Sequence, residues 1–221
     1  MQHETEVPGW AVERGRHLNE FDAIHPATTA LVVVDMQNVF MNEEEAYGNP
    51  YAIGVLPQVN RLASCLREAG GTVIWTRQTV SQEAPLAMPH WQYDLRIPEV
   101  RHAVETMGPG TRSQALHAET QPAEGDPIID KYRYNAFVCP ARGLERTLEG
   151  SPIEMLIFVG TLTNICIEST ARDANMLGYK VIVVSDACAA KTDAEHNAAL
   201  LNLRIGFADV KDTATICDLL A

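Results

Sequence analysis

Short unbroken apolar runs, separated by stretches with helical spacing, set the rhythm of this chain. The runs are ALVVVD at 30–35, TVIWT at 72–76, PIIDK at 127–131, LIFV at 156–159 and KVIVVSD at 180–186. Runs of this length suit strands covered on both faces. Residues 207–210 read as a sixth, shorter strand. Between the strands, residues 55–69 place Val55, Leu56, Val59, Leu62, Ala63 and Leu66 on one helical face, closed by Gly70 and Gly71. Helices are also expected near 98–107, over 141–149, from Ile165 to Gly178, over 193–204 and over 211–220. Strands alternating with helices imply right-handed βαβ units, hence an α/β fold with a six-stranded, mainly parallel sheet between two helical layers. Residues 1–25 read as an irregular arm that Trp10 and Phe21 pin onto the body or a neighbouring subunit, and residues 26–221 as a single domain. Residues 42–54 read as a polar loop. The stretch 77–124 shows little periodicity, and a loop of that length inside a compact domain is usually functional.

The segment LIFVGTLTNICIESTARDAN, 156–175, concentrates the chemistry. A strand runs into a turn at Gly160, Thr163 and Asn164 are of the helix-capping kind, and Cys166 falls in the first helical turn. Unpaired backbone N–H groups and the helix dipole favour a thiolate there. The alternative is that Cys166 is a small buried residue, the commonest fate of free cysteine.

Composition narrows the function. The 221 residues carry a net charge of −12, which argues against nucleic acid as a partner. No apolar run reaches the length of a membrane span, and the polar start of the chain lacks a secretory signal. The five cysteines are scattered, without a paired motif, so neither a disulfide framework nor a zinc site is indicated, and a reducing cytoplasm is the expected setting. Cys65, Cys139, Cys188 and Cys217 read as packing residues.

In open parallel sheets, ligands bind beyond the carboxyl ends of the strands. Three reactive side chains fall at such ends: Asp35 after the first strand, Lys131 at the third and Cys166 past the fourth. Separately they read as a turn former, a surface lysine and a packing residue. Together they supply a nucleophile, a carboxylate to take its proton, and a cation to stabilise the thiolate.

The blocks VVVDMQN-x-F, DKYRYNAF and GTLTNICIESTARDANMLGYKVIVVSDACA, in this order, resemble the isochorismatase-like cysteine hydrolases. The resemblance runs from about residue 28 to near the end of the chain. It implies a Rossmann-like sheet and an Asp-Lys-Cys triad at Asp35, Lys131 and Cys166. It also implies a cis peptide between Thr161 and Leu162, and an oxyanion hole formed by the backbone N–H groups of Leu162 and Cys166. The counterpart of Phe40 lines the pocket in that family. Asn38, Tyr134 and Phe137, close to triad members in sequence, are candidates for the same wall or for core packing. Arg77 is a candidate for binding a substrate carboxylate, or else for solvation or pairing with Glu83. Trp91 and Tyr93 are candidates for a lid or for packing. The Asp-x-His metal pair of nicotinamidases is missing from TRQTVSQE, and His90, His102 and His117 lack ligand spacing, so no metal and no cofactor are expected.

The blocks look most like ureidoacrylate amidohydrolases and N-carbamoylsarcosine amidases, although the long loop after the second strand departs from the ureidoacrylate pattern. The expected activity is hydrolysis of a small amide or ureido compound, by a homodimer or homotetramer without membrane association. The alternatives are vinyl-ether hydrolysis of the isochorismate type and a catalytically silent binding protein. A dinucleotide-binding oxidoreductase is set aside because no G-x-G-x-x-G follows the first strand.

Overall fold

The computed structural model describes every residue except His90 and Ala221. Six strands form one sheet: β1 (Thr29–Val34), β2 (Thr72–Gln78), β3 (Ile128–Lys131), β4 (Met155–Thr161), β5 (Lys180–Ala189) and β6 (Asp209–Lys211). All neighbours are parallel, in the order β3-β2-β1-β4-β5-β6. Every residue of β1 and β4 is buried, as expected of central strands with helices on both faces. Alternate side chains of the sheet feed two cores. One packs Leu31, Val33, Val73 and Ile157 beneath α3 (Pro50–Glu68) and α8 (Thr213–Leu220). The other packs Val32, Ile74, Leu156 and Val183 against α5 (Gly143–Leu148), α6 (Glu168–Met176) and α7 (Asp193–Gly206).

Several boundaries and contacts differ from the sequence reading. The arm contains a helix, α1 (Gly9–Gly15), that packs on α7 through its small buried residues Ala11 and Gly15. A Cβ at Gly15 would overlap the backbone carbonyl of Arg204, so this close approach requires glycine. Trp10 is exposed and does not pin the arm onto the body of this chain, whereas Phe21 packs against the core beneath α3. α3 starts five residues before the expected position, within the segment read as a loop. Pro50 provides the first-turn residue, and the Asn49 side chain accepts a hydrogen bond from Tyr51 N–H. The long stretch after β2 holds α4 (Pro98–Thr106).

Cys65 on α3 and Cys217 on α8 are joined by a disulfide, with Cα atoms 5.9 Å apart. The scattered spacing gave no sign of this pairing, because the two residues meet only when α3 and α8 lie side by side on one face. Cys139 and Cys188 are free and buried. Among the described residues, no helix is long and apolar enough to cross a membrane.

Candidate active site

The strand order reverses direction about β1, so the connections leaving β1 and β4 part and leave a crevice beyond their carboxyl ends. Asp35 follows β1 with a positive φ of 52°, a conformation unusual for a residue other than glycine. Its backbone N–H donates to Thr76 O at 3.2 Å and its Oδ1 accepts from Thr76 Oγ1 at 2.8 Å. Lys131 ends the edge strand β3, in register with Gln78 at the end of β2. Its stem passes beneath the surface, leaving the residue 1% exposed. At the tip, Nζ lies 2.7 Å from Asp35 Oδ2 and donates to Gln78 Oε1 at 2.6 Å, Arg133 O at 3.2 Å and Cys166 Sγ at 3.4 Å. Asp35, Lys131 and Cys166 therefore converge, with the lysine in contact with both the carboxylate and the sulfur.

Asp35 Oδ2 and Lys131 Nζ form a close buried ion pair, and among the described residues no other nitrogen or oxygen donor reaches Oδ2. A carboxylate in that condition keeps a lone pair free to take a proton. Burial pulls the Lys131 pKa down, but the charge of Asp35, joined by that of Cys166 once it ionises, outweighs it and holds the ammonium above its ordinary value. Burial also acts most strongly on Cys166, against the attraction of Lys131 and together with repulsion from Asp35. The thiol is pushed up to about 12. Burial thus favours the protonated thiol and works against the helix-end stabilisation of a thiolate.

The local backbone differs as well. β4 ends at Thr161, the Thr161–Leu162 peptide is cis, and Cys166 sits within a wide π-helical turn (Thr163–Ile167) that runs into α6. Neither Thr163 nor Asn164 caps a helix through its side chain. The Thr163 hydroxyl is 3.0 Å from His196 Nδ1 instead. Gly160 has a φ of +109°, and a Cβ there would overlap the Val34 carbonyl, so only glycine lets β4 approach the end of β1 this closely.

Above the sulfur lies a small cavity of about 130 Å³. Phe40, Tyr134, Leu162 and Cys166 line it, as the sequence suggested. Tyr93, read as lid or packing, lines it too, together with Tyr47, Gln78, Met107, Ile165 and Lys191, which the sequence reading had not singled out. Gln78 was accessible to the same strand-end rule that selected Lys131. Lys191 lies just past β5, another strand end. Burial pushes Tyr47 and Tyr93 upward, and the neighbouring Tyr134 adds to both, so those two hydroxyls stay neutral. Burial lowers the Lys191 pKa, with Glu195 opposing, and its Nζ donates to Gly48 O at 2.7 Å.

Four candidates lie elsewhere. Arg77 pairs with Asp130 at 2.8 Å, its partner across the β2–β3 register, and not with Glu83 or the cavity. Asn38 donates from its side chain to Arg112 O at 2.8 Å, tying the turn after β1 to the long loop. Phe137 is buried in the core beneath α6, stacked on Tyr179. Trp91 is 83% exposed and lines a separate surface hollow with Asp94 and Arg96, because the loop turns it away from the cavity. Among the described residues, no three His, Cys, Asp or Glu side chains are grouped to hold a metal. His90 lies outside those residues.

The chain is similar to known hydrolases over most of its length. The ureidoacrylate amidohydrolase RutB of Yersinia enterocolitica is 32% identical over 214 residues, covering 90% of this chain and 92% of that protein. The structure of a cysteine hydrolase from Pseudomonas syringae superposes with a TM-score of 0.80 at 26% identity, covering 92% of this chain and 96% of the other. N-carbamoylsarcosine amidase from Thermoplasma acidophilum gives a TM-score of 0.66 at 26% identity, covering 84% and 96%. Residues 29–215 match the isochorismatase domain, a span taking in every strand of the sheet and all three converging residues, and the chain belongs to that family of hydrolases.

Proposed function

We propose that the protein is a cysteine amidohydrolase that cleaves the C–N bond of a small linear amide or ureido compound. The observation that carries this reading is the buried Asp35–Lys131–Cys166 set, in which Lys131 Nζ lies 2.7 Å from Asp35 Oδ2 and 3.4 Å from Cys166 Sγ. Asp35 Oδ2 takes the Sγ proton as sulfur attacks the carbonyl carbon. The proton moves within the set, so its net charge stays zero and burial does not oppose the step. The thiolate forms beside Lys131, which offers it one of its N–H bonds.

The developing oxyanion is received by the backbone N–H groups of Leu162 and Cys166. Collapse of the tetrahedral intermediate breaks the C–N bond, and the proton held by Asp35 leaves with ammonia or an amine. Asp35 then draws a proton from water, which attacks the thioester or thiocarbamate and frees the sulfur. From a carbamoyl compound, the remaining product is a carbamate that decays to carbon dioxide and amine. The names of the relatives, ureidoacrylate amidohydrolase and N-carbamoylsarcosine amidase, support a ureido substrate ending in a carboxylate. Lys191 on the cavity wall suits that anionic end, and the three tyrosines suit a planar ureido group.

The test is ammonia release from ureidoacrylate, N-carbamoylsarcosine, biuret and nicotinamide, with Cys166→Ala as control. Release from a ureido compound that vanishes in Cys166→Ala is the expected result. Release that survives the substitution would sink the mechanism.

A further inference from the structure

The first residues of the chain are docked against the back of the proposed oxyanion turn. Asn197 on α7 grips the extended arm twice, accepting from Glu6 N–H at 2.9 Å and donating to Glu4 O at 2.9 Å. A Cβ at Gly54 on α3 would overlap the Met1 carbonyl, so the arm also lies tightly against that helix. Alternate residues of an extended segment face the same way, and His3 and Thr5 both face α7.

The His3 side chain is 2% exposed. Its ring lies flat between Tyr51, with centroids 3.9 Å apart, and His196, 4.3 Å apart. Its Nε2 accepts from Ala190 N–H at 3.0 Å, so that nitrogen carries no proton, and Nδ1 donates to Asp193 Oδ1 at 2.6 Å. His3 therefore has its ring plane fixed at both nitrogens.

His196 is wholly buried, with a pKa lowered to about 4 by burial and by His3. It has hydroxyls at both nitrogens: Thr5 Oγ1 at 3.4 Å from Nε2 and Thr163 Oγ1 at 3.0 Å from Nδ1. Thr163 is flanked by Leu162 and opens the turn that carries Cys166. The mechanism gives none of His3, His196 and Thr163 a chemical role, yet they form a continuous connection from arm to turn.

We infer that His3 is a positioning residue: by stacking on His196, it aims Nδ1 at Thr163 and so fixes the direction of the Leu162 and Cys166 backbone N–H groups. This rests on the cysteine-hydrolase reading above. The arm thus acts as a brace for the oxyanion turn. Misplacing oriented donors by a fraction of an ångström is expected to slow acylation by roughly tenfold or more, while leaving ground-state binding nearly unchanged.

The experiment follows p-nitrophenol release from p-nitrophenyl acetate, an activated acyl donor without a carboxylate for Lys191 to bind. A burst in the wild type that is absent in Cys166→Ala establishes the acylating cysteine before any arm variant is compared. Absence of that burst overturns the hydrolase reading and, with it, this one. Given the burst, His3→Ala is expected to keep its amplitude but lower the saturating acylation rate about tenfold, with the half-saturating ester concentration within about twofold of wild type. Thr163→Val, which preserves volume and removes only the hydroxyl, should show the same loss and carries the test if His3→Ala does not fold.

The double variant separates positioning from general loosening. If His3 acts through Thr163, the pair is no slower than the slower single variant. Losses that multiply overturn the inference. So does a rate within twofold of wild type in either folded single variant, or a loss confined to ester saturation.

Discussion

Two buried ion pairs lie at opposite ends of the strands, and they differ in one respect. At the amino end, Asp209 opens β6 beneath Arg204 of α7. Its Oδ1 accepts from Arg204 at 3.2 Å and Val210 N–H at 2.9 Å, while Oδ2 accepts from Phe21 N–H at 3.0 Å and meets Lys211 at 3.0 Å. Arg204 also donates to Asn19 O, Val12 O and Glu20, so both oxygens of Asp209 are filled and its partner is held on several sides. At the carboxyl end, Asp35 has Thr76 on one oxygen and Lys131 alone on the other. Both pairs bear the desolvation cost of buried charge. The fully bonded pair fastens the arm to α7 and β6. The sparsely bonded pair retains a proton acceptor next to a thiol. Buried charge by itself therefore does not mark a catalytic centre, whereas a sparsely bonded acceptor beside a nucleophile gives a reason to look for one.

Substitutions sharpen that contrast. Cys166→Ala should lower turnover by roughly four orders of magnitude or more, yet change stability by only about 1 kcal/mol, because little volume is removed. Steady-state assays and chemical denaturation read the two quantities separately. Arg204→Met should do the reverse. It leaves Asp209 with less compensation and costs about 3 kcal/mol of stability, while the turnover of the folded fraction stays near wild type. A large drop in turnover at full folding would break the distinction between the pairs.

Titration tests the state of the nucleophile. A thiol held near 12 is protonated at neutral pH, so the thiolate fraction rises about tenfold with each pH unit below that value. Alkylation of Cys166 by iodoacetamide in the absence of substrate should accordingly climb by about two orders of magnitude from pH 8 to 10. A plateau by pH 8 would mean that Lys131 outweighs burial and that the resting group is a thiolate. The smallest effect is expected at Arg77, whose partly exposed pair with Asp130 lies away from the cavity. Arg77→Ala should change stability by less than about 1 kcal/mol and leave KM unaltered.

The difference between the legible and the illegible parts of this molecule has a physical basis. The apolar runs had one stable arrangement, a covered parallel sheet, and strand ends in such a sheet point to a common crevice. That is why the sequence alone suggests that Asp35, Lys131 and Cys166 share one crevice. Side chains from loops and helix faces follow no such rule. Trp91 and Tyr93 are two residues apart in an aperiodic segment, yet one faces solvent and the other the cavity. Arg77 alternates with Gln78 along β2, and the pleat sends only Gln78 toward Lys131. The Cys65–Cys217 bond depended on a helix–helix contact across most of the chain. Thr163, a good capping residue by type, was diverted to His196, whose position no local pattern announces.

The sheet order also has a consequence for biosynthesis. β1 can pair with β2 early, Ala30 beside Thr72, but its other neighbour is β4, with Thr29 beside Met155. A chain emerging from the ribosome amino end first would hold Asp35 and Lys131 long before the strand that delivers Cys166. Until then, β1 presents an apolar edge that invites association with other chains. Cys166 thus reaches Asp35 at the step that closes the centre of the sheet. A polypeptide stopped short of β4 would lack the thiol and carry a sticky edge, so an incomplete copy is a burden for chaperones and not a partial enzyme.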